Sequence, residues 1–325
     1  MKKKLLIIAD KLEKVNLKSD SSLALAEAAI AKNWEVFWCE DKNIHFLNEE
    51  IYLNQFNEIK EININNINYE QVKKNLVSFS SFDYCFIRKD PPFNEGYKDL
   101  CWILATQTKV KILNPAEVLL AYHEKALHWK ALSSGVINKN NVIPTCLSEN
   151  ISIIEKYLKE NINLFDDGII CKPWLGHGGE DVQLFTNMND LIAFLDKQSI
   201  HNHLKQKYLV QPYLKEIHTE GDRRVLIADG VIIGDFVRIP EHGKIASNLA
   251  QGGTAHIREM SKEQIKLCES VGLFLKSMNI VFAGLDLIGN KIGEINITSP
   301  TGLRTVENLT GEKINKIAFE LMVKN

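Results

Sequence analysis

The chain lacks any apolar run near the roughly 20 residues that a bilayer-spanning helix requires, which excludes a helical membrane protein. It also lacks an excess of either charge. A formal net charge of -2 excludes a general binder of nucleic acid or anionic membrane surfaces. Close cysteine pairs are missing too. Cys39, Cys85, Cys101, Cys146, Cys171 and Cys268 are scattered, which excludes a clustered thiolate zinc site and fits reduced thiols in the cytoplasm. No internal repeat is present. Met1 to Ala9 resembles the start of a signal peptide, but its apolar run is short and Asp10 ends it, so a buried first strand is the reading.

What remains is an ordinary globular composition, 45% apolar and 25% charged over 325 residues, enough for two or three domains with their own cores. Over residues 1–122 strand and helix alternate. Strands are expected at Leu5–Ala9, Trp34–Cys39, Phe82–Ile87 and Lys111–Leu113, with helices at Ser21–Lys32 and Tyr97–Gln107. That pattern predicts a small doubly wound α/β domain with a parallel sheet. Residues 48–78, rich in Asn and Ile, interrupt it. The alternation of Ile62 and Ile64 with polar neighbours allows an edge strand inside a peripheral excursion.

From Glu124 onward the pattern is α+β. Helices are expected at Glu124–Ser133, Ile151–Glu160, Asn189–Lys197, Ser261–Ser277 and within Gly311–Val323. Strands are expected at Gly168–Lys172, Val182–Phe185, Tyr208–Gln211, Arg223–Ala228 and Val231–Arg238, with a polar loop over Pro240–His256.

The most informative stretch is Gly284 to Pro300. Asp286, Glu294 and Asn296 lie on two β-branched runs joined by a Gly-Asn turn. Oxygen side chains in such runs cost free energy unless something binds them. Two carboxylates and an amide oxygen are hard ligands suited to Mg²⁺. A two-residue turn would pair Asp286 with Gly293 and turn Glu294 away. A three-residue loop, Gly289 to Lys291, pairs Asp286 with Glu294, bringing their Cβ atoms about 5 Å apart. The longer loop is therefore expected; a solvated hairpin with two exposed acids is the plainer alternative.

Other segments fit binding of a phosphorylated ligand. Lys172 ends a strand and feeds Gly176, Gly178 and Gly179, whose backbone N–H groups can approach an anion; an ordinary glycine turn explains them as well. It is not a Walker A loop, since Gly-Lys-Ser/Thr is missing. Lys125 is a second phosphate candidate. Gln211-Pro-Tyr-Leu214 suits an adenine base, with Asp222 near the ribose. Arg224, Arg238 and Asn248 beside a glycine-containing loop fit stabilisation of a transferring phosphoryl group, although surface ion pairs also use such arginines. Arg88-Lys89-Asp90 and Ser299-Pro-Thr301-Gly302-Leu-Arg304 sit at strand ends, where α/β folds place ligands. Asp20-Ser21 could join them, or could simply cap a helix.

Taken in order, these segments resemble an ATP-grasp ligase, and within that superfamily the bacterial-type glutathione synthetase. The resemblance covers nearly the whole chain. It is carried by Ile87-Arg-Lys-Asp-Pro-Pro-Phe93, Gly221-Asp-Arg-Arg-Val-Leu226, Arg238-Ile-Pro240, Asn248-Leu-Ala-Gln-Gly-Gly253 and Gly284-Leu-Asp to Ser299-Pro-Thr-Gly302. It implies ATP-grasp subdomains over 123–212 and 213–325. It further implies ATP phosphates on Lys125 and Lys172 under the loop Gly176–Gly179, adenine against Gln211, Tyr213 and Leu214, and ribose near Asp222. Asp286, Glu294 and Asn296 would carry two Mg²⁺ or Mn²⁺ ions. Arg224, Arg238 and Asn248 would face the reacting groups, and the remaining strand-end residues the small-molecule substrates. The chain departs at His177, inside the glycine loop, and in the Asn-rich excursion.

The implied reaction is ATP-dependent joining of γ-glutamylcysteine and glycine through an acyl phosphate, in a cytoplasmic dimer or tetramer. Because an acyl phosphate must be kept from water, Gly176–Glu180 and Pro240–Gly253 are lid candidates. Two alternatives share the ATP half: a ligase for a different amino-acid pair, and a non-catalytic ATP-binding regulator.

Overall fold

The computed structural model describes residues 2–63, 65–176, 178–179, 181–201, 206–245 and 247–324; Ile64, His177 and Glu180 lie outside these ranges. The first unit contains β1 (Lys4–Ile8), α1 (Ser21–Ala31), β2 (Glu35–Cys39), β3 (Ile44–Leu47), β4 (Glu50–Asn63), β5 (Asn66–Ser78), β6 (Tyr84–Ile87), α2 (Glu95–Ala105), β7 (Lys111–Leu113) and α3 (Ala116–Ala121). Its sheet runs β3-β4-β2-β1-β6-β7, with β5 on β4, and the β2-β1-β6-β7 portion is parallel. β1 is buried on both faces: Leu5 and Ile7 join one core cluster, Leu6 and Ile8 another. That explains its unbroken apolar run. The chain leaves β1 toward β2 on one side and returns to β6 on the other, so a crevice opens at the carboxyl ends of β1 and β6.

The Asn-rich excursion is more regular than expected. Residues 50–63 and 66–78 form one long antiparallel ribbon, paired from Tyr52↔Ser78 out to Asn63↔Asn66. Two bulges absorb its irregular period, which hid the strands from a strict alternation test. β4 also pairs with β2 and extends the parallel sheet.

After α4 (Leu127–Ser133), a smaller unit holds β8 (Cys146–Ser148), α5 (Ile151–Glu160), β9 (Ile169–Pro173), β10 (Gln183–Phe185), α6 (Met188–His201) and β11 (Tyr208–Pro212). Its antiparallel sheet has the order β10-β9-β11-β8 and its own apolar cluster around Ile154, Leu158 and Leu191. The last sheet, β14-β13-β12-β15-β16, is antiparallel. It comprises β12 (Asp222–Ala228), β13 (Val231–Ile239), β14 (Thr254–His256), β15 (Phe282–Ile288) and β16 (Lys291–Asn296). α7 (Lys262–Ser277), α8 (Leu303–Thr310) and α9 (Ile314–Val323) complete the chain. All six cysteines are buried and free.

Three further expectations need correction. The helix placed at Glu124 begins at Leu127, because residues 123–126 form a turn in which Ala126 and Leu127 N–H groups both donate to the His123 carbonyl. The Pro240–His256 loop ends in β14, which adds an edge to β13. α8 was not foreseen: Gly302 starts it and Gly311 ends it in the left-handed region at φ 77°.

Candidate active site

The β15–β16 hairpin brings Asp286 opposite Glu294, as the sequence demanded, but not through a three-residue loop. Gly289 and Asn290 make a two-residue turn closed by Ile288↔Lys291, with Gly289 at φ 57°. A left-handed glycine at the first central position is the type II′ pattern, favoured because it matches strand twist. The extra residue is Gly293, a bulge between the pairs Leu287↔Ile292 and Asp286↔Glu294. A side-chain-free residue takes the insertion and restores the carboxylate pair.

Asp286 is buried. Arg224, its partner across β12–β15, grips the carboxylate with Nε and with Nη2 at 2.8 Å, and Arg238 Nη2 lies 3.0 Å from Oδ2. Burial pushes this carboxyl up, but the two guanidiniums outweigh it and hold it below its ordinary range. Asn296 Nδ2 also donates to Oδ2, at 3.2 Å. Asp222 accepts from Arg238 at 2.6 Å and from Ser247 Oγ at 2.7 Å; there burial outweighs the guanidinium and the carboxyl is raised. Arg238 Nη1 reaches Asn248 Oδ1 at 3.3 Å. The arginines, Asn248, Asp222 and Asp286 thus form one network across β12, β13 and β15.

A cavity of about 180 Å³ lies over this network. On one side are Asp286, Glu294, Arg238, Asn248 and Asp222; on the other are Lys125, Lys172 and the glycine loop at Gly176, Gly178 and Gly179. Gln211, Tyr213 and Leu214 also line it, together with the apolar side chains of Ile143, Ile170, Val182 and Ile288, which suit a flat base. Gln211 is buried and bonded to Thr145 Oγ1 at 2.8 Å. The two lid candidates touch: Gln251 Nε2 donates to the Gly178 carbonyl at 2.9 Å. A wider groove of about 700 Å³ behind the hairpin turn contains none of the phosphate lysines.

Lys125 is buried, with its ammonium on the carbonyls of Trp174, at 3.1 Å, and Gly176. Burial lowers its pKa, Glu294 opposes the shift and Lys172 adds to it. Beside it, Glu124 is lifted to about 7, first by burial and then by Glu294. Glu294 itself makes no hydrogen bond or ion pair with any described residue.

The donor set can be tested for a divalent cation. Among the described residues no three Asp, Glu, His or Cys side chains gather into a ready-made cage. Mg²⁺ does not require one, since it is usually held by one or two carboxylates together with substrate phosphates. An unpaired Glu294 beside Asp286, repelling Glu124, offers such a place, and turning the Asn296 amide over adds an oxygen. The residues fit.

At the crevice of the first sheet, Arg88 is buried. Its Nε donates to Ser22 Oγ at 3.0 Å and its Nη2 to the Pro300 carbonyl at 2.9 Å. Ser299 Oγ donates to the Arg88 carbonyl at 3.2 Å. Asp20 caps α1 through Leu23 N–H, and burial raises its carboxyl; burial also raises Asp90, against the pull of Arg88. Ser21 is fully buried, accepting from Gly302 N–H at 3.0 Å and Leu303 N–H at 3.2 Å, so it caps α8. Lys89 pairs with Asp41 at 3.0 Å and lies 3.7 Å from Asp10. The Thr301 carbonyl accepts from Arg224 at 3.1 Å. Arg304 is held by Glu27 and Glu307, on the helices rather than in the cavity. Segment 299–304 therefore ties the first sheet to the last.

Two participants escaped the sequence reading: Glu124 and Ser247. The first is adjacent to a chosen lysine, and its depth is what distinguishes it from a solvated acid.

Comparison with known proteins identifies the family. Residues 3–119 match the model of the prokaryotic glutathione synthetase N-terminal domain, and residues 136–311 that of the prokaryotic glutathione synthetase ATP-grasp domain. Glutathione synthetase of Prochlorococcus marinus subsp. pastoris is 28% identical, with 99% of each chain covered. That of Vibrio parahaemolyticus is 30% identical, with 97% of each covered. Among solved structures, the D-cycloserine synthetase DcsG superposes with a TM-score of 0.68 at 14% identity, covering 98% of this chain and 99% of that one; this likeness bears on the fold. The chain belongs to the prokaryotic glutathione synthetase family, and with it to the ATP-dependent carboxylate–amine ligases.

Proposed function

We propose that the protein joins γ-glutamylcysteine to glycine at the expense of ATP, forming glutathione, ADP and phosphate. The observation that carries this reading is the meeting, around one cavity, of two lysines, a glycine loop, the Arg224–Asp286–Arg238 network and an unpaired Glu294, next to the Arg88 crevice. Two protein-bound arginines and two lysines can offset charge as a phosphoryl group moves, which is the chief demand of such transfers.

ATP lies with its base against Gln211–Leu214 and the apolar side chains beside them, and its phosphates between Lys125, Lys172 and the glycine loop. The Arg88 crevice, with Ser299 and Asp90, orients the dipeptide. Its carboxylate oxygen attacks the γ-phosphorus, the bond to ADP breaks, and an acyl phosphate forms. The neutral glycine amine then attacks the acyl carbon. The carbon–oxygen bond to phosphate breaks, and the amine proton leaves with the departing phosphate. Asp286 and Glu294, with Asn296, would hold Mg²⁺ or Mn²⁺, which supplies Lewis-acid charge neutralisation at the phosphates. Gly176–Glu180 and Pro240–Gly253 exclude water while the acyl phosphate exists.

ADP release measured with each substrate alone and with both together tests this reading. Turnover that requires both supports it. Turnover requiring a different amino-acid pair, or ATP binding without turnover, contradicts it.

A further inference from the structure

The turn before α4 makes a closed set of contacts with the base of the glycine loop. The Lys125 N–H donates to His123 Nδ1 at 3.2 Å, and the Lys125 ammonium donates to the Trp174 carbonyl at 3.1 Å and to that of Gly176. The Trp174 indole lies back on the His123 ring, 4.1 Å between centres and 21° from parallel. Trp129 of α4 stacks on the same indole at 6.0 Å, 7° from parallel. A neutral imidazole accepts at Nδ1 when Nε2 carries its proton. Burial, and then the charge of Lys125, lower this ring to about 4, so the neutral form holds at physiological pH.

The same turn is fixed to the opposite wall of the cavity. The N–H of Ile295, between Glu294 and Asn296 on β16, donates to the Glu124 carbonyl at 3.2 Å, and Thr298 Oγ1 donates to the Glu124 carboxylate at 3.4 Å. Residues 123–125 therefore bridge the carboxylate hairpin and the glycine loop, which face each other across the cavity. Beyond Trp174 the loop has little of its own to hold it. Leu175 is 60% exposed, and Gly178 is exposed. Gly176 has no room for a side chain, since an added Cβ would lie 2.7 Å from Pro173 Cγ. Half-buried Trp174 is the last large side chain that packs before these residues.

We propose that His123 is a positioning residue that couples Lys125 to the glycine loop, so that the ammonium and the loop N–H groups meet a nucleotide's phosphates as one unit, at a fixed distance from Asp286 and Glu294. The role rests on the ligase reading, which puts a nucleotide in that cavity; His123 acts from outside it. It uses one ring edge and one ring face. The Nδ1 lone pair sets the Lys125 backbone, and the face sets Trp174. The two grips are chemically separable. Asparagine at this position accepts from the N–H two residues on but has no ring. Phenylalanine keeps a ring face but cannot accept.

Calorimetric binding of Mg²⁺-ADP to the intact protein tests it, because no amino acid need be joined. His123→Asn and His123→Phe each raise the Kd about fivefold, the worth of one contact, and leave the KM values for dipeptide and glycine unchanged. Trp174→Leu also raises the Kd about fivefold. It adds nothing to His123→Asn, where the stack is already lost, and adds its full effect to His123→Phe, where a stack persists. His123 variants that melt at a lower temperature yet bind Mg²⁺-ADP as the wild type does overturn the positioning role. So does a Trp174→Leu effect that is the same in every background. Either result leaves the ligase reading standing. Wild-type protein that binds no Mg²⁺-ADP overturns both.

Discussion

Asp286 and Glu294 stand directly opposite each other on the last hairpin, yet Asp286 is locked between two guanidiniums while Glu294 has no partner among the described residues. An unpaired acid near a buried acid of like charge is a cost that a cation relieves. Glu294→Gln should lower turnover about a hundredfold or more, without loss of stability, since no protein contact is lost. ADP release at saturating Mg²⁺, beside a thermal melt, checks both halves.

Arg224→Met should behave in the opposite way. It strips the two-point contact from a buried carboxylate, and breaking a buried pair from one side costs about 3–5 kcal/mol. Arg238 remains within 3.0 Å of Asp286, which places the loss at the lower end. Urea denaturation of the variant should show this loss together with loss of turnover.

Asn114 predicts a purely structural effect. Its Nδ2 donates to the carbonyls of Phe282 and Ile297, both at 2.7 Å, and its Oδ1 accepts from Val281 and Phe282 N–H groups at 2.8 and 3.0 Å. One side chain thereby pins β7 to the strand before the Ser299 segment. Asn114→Ala leaves these buried backbone groups unpaired and should cost about 3 kcal/mol or more. Asn114→Asp keeps the acceptor and loses the donor, so it should fall between. Denaturant midpoints at matched slopes measure both.

The Glu124 carboxyl gives a pH signature. Burial, then Glu294, lifts it from 4.5 to about 7. Between those values the folded chain keeps a proton that the unfolded chain has released, so stability falls as pH rises through the window. His123 and His128, lowered by burial to about 4, pull the other way below about 6.5. The stability of Glu124→Gln minus wild type cancels the histidines. This difference should grow with pH, by about 3 kcal/mol in all, and level off above about pH 8. A flat difference contradicts the buried acid.

Local pattern made much of this legible. The doubly wound start follows from apolar runs alternating with helical spacing, and the hairpin from β-branched residues around Gly-Asn. The carboxylate pairing was right for a reason only partly right: the odd residue sits at the Gly293 bulge rather than in the turn. Turn length and bulge give the same register, and a sequence cannot separate them. Tertiary partners were hidden for a different reason. Nothing local distinguishes Asn114 from a surface asparagine, Ser21 from an N-terminal helix residue, or Glu124 from a solvated acid, because their roles are defined by chain more than a hundred residues away. Of the 50–78 ribbon the sequence shows only an edge strand, because its bulges break the period of two.

The most direct measurement follows one oxygen atom. γ-Glutamylcysteine labelled with oxygen-18 in its cysteinyl carboxylate is turned over with ATP and glycine, and the released phosphate is weighed by mass spectrometry. If the carboxylate is activated as an acyl phosphate, each phosphate carries one labelled oxygen from the dipeptide. Phosphate released without label, while peptide accumulates, would contradict the account.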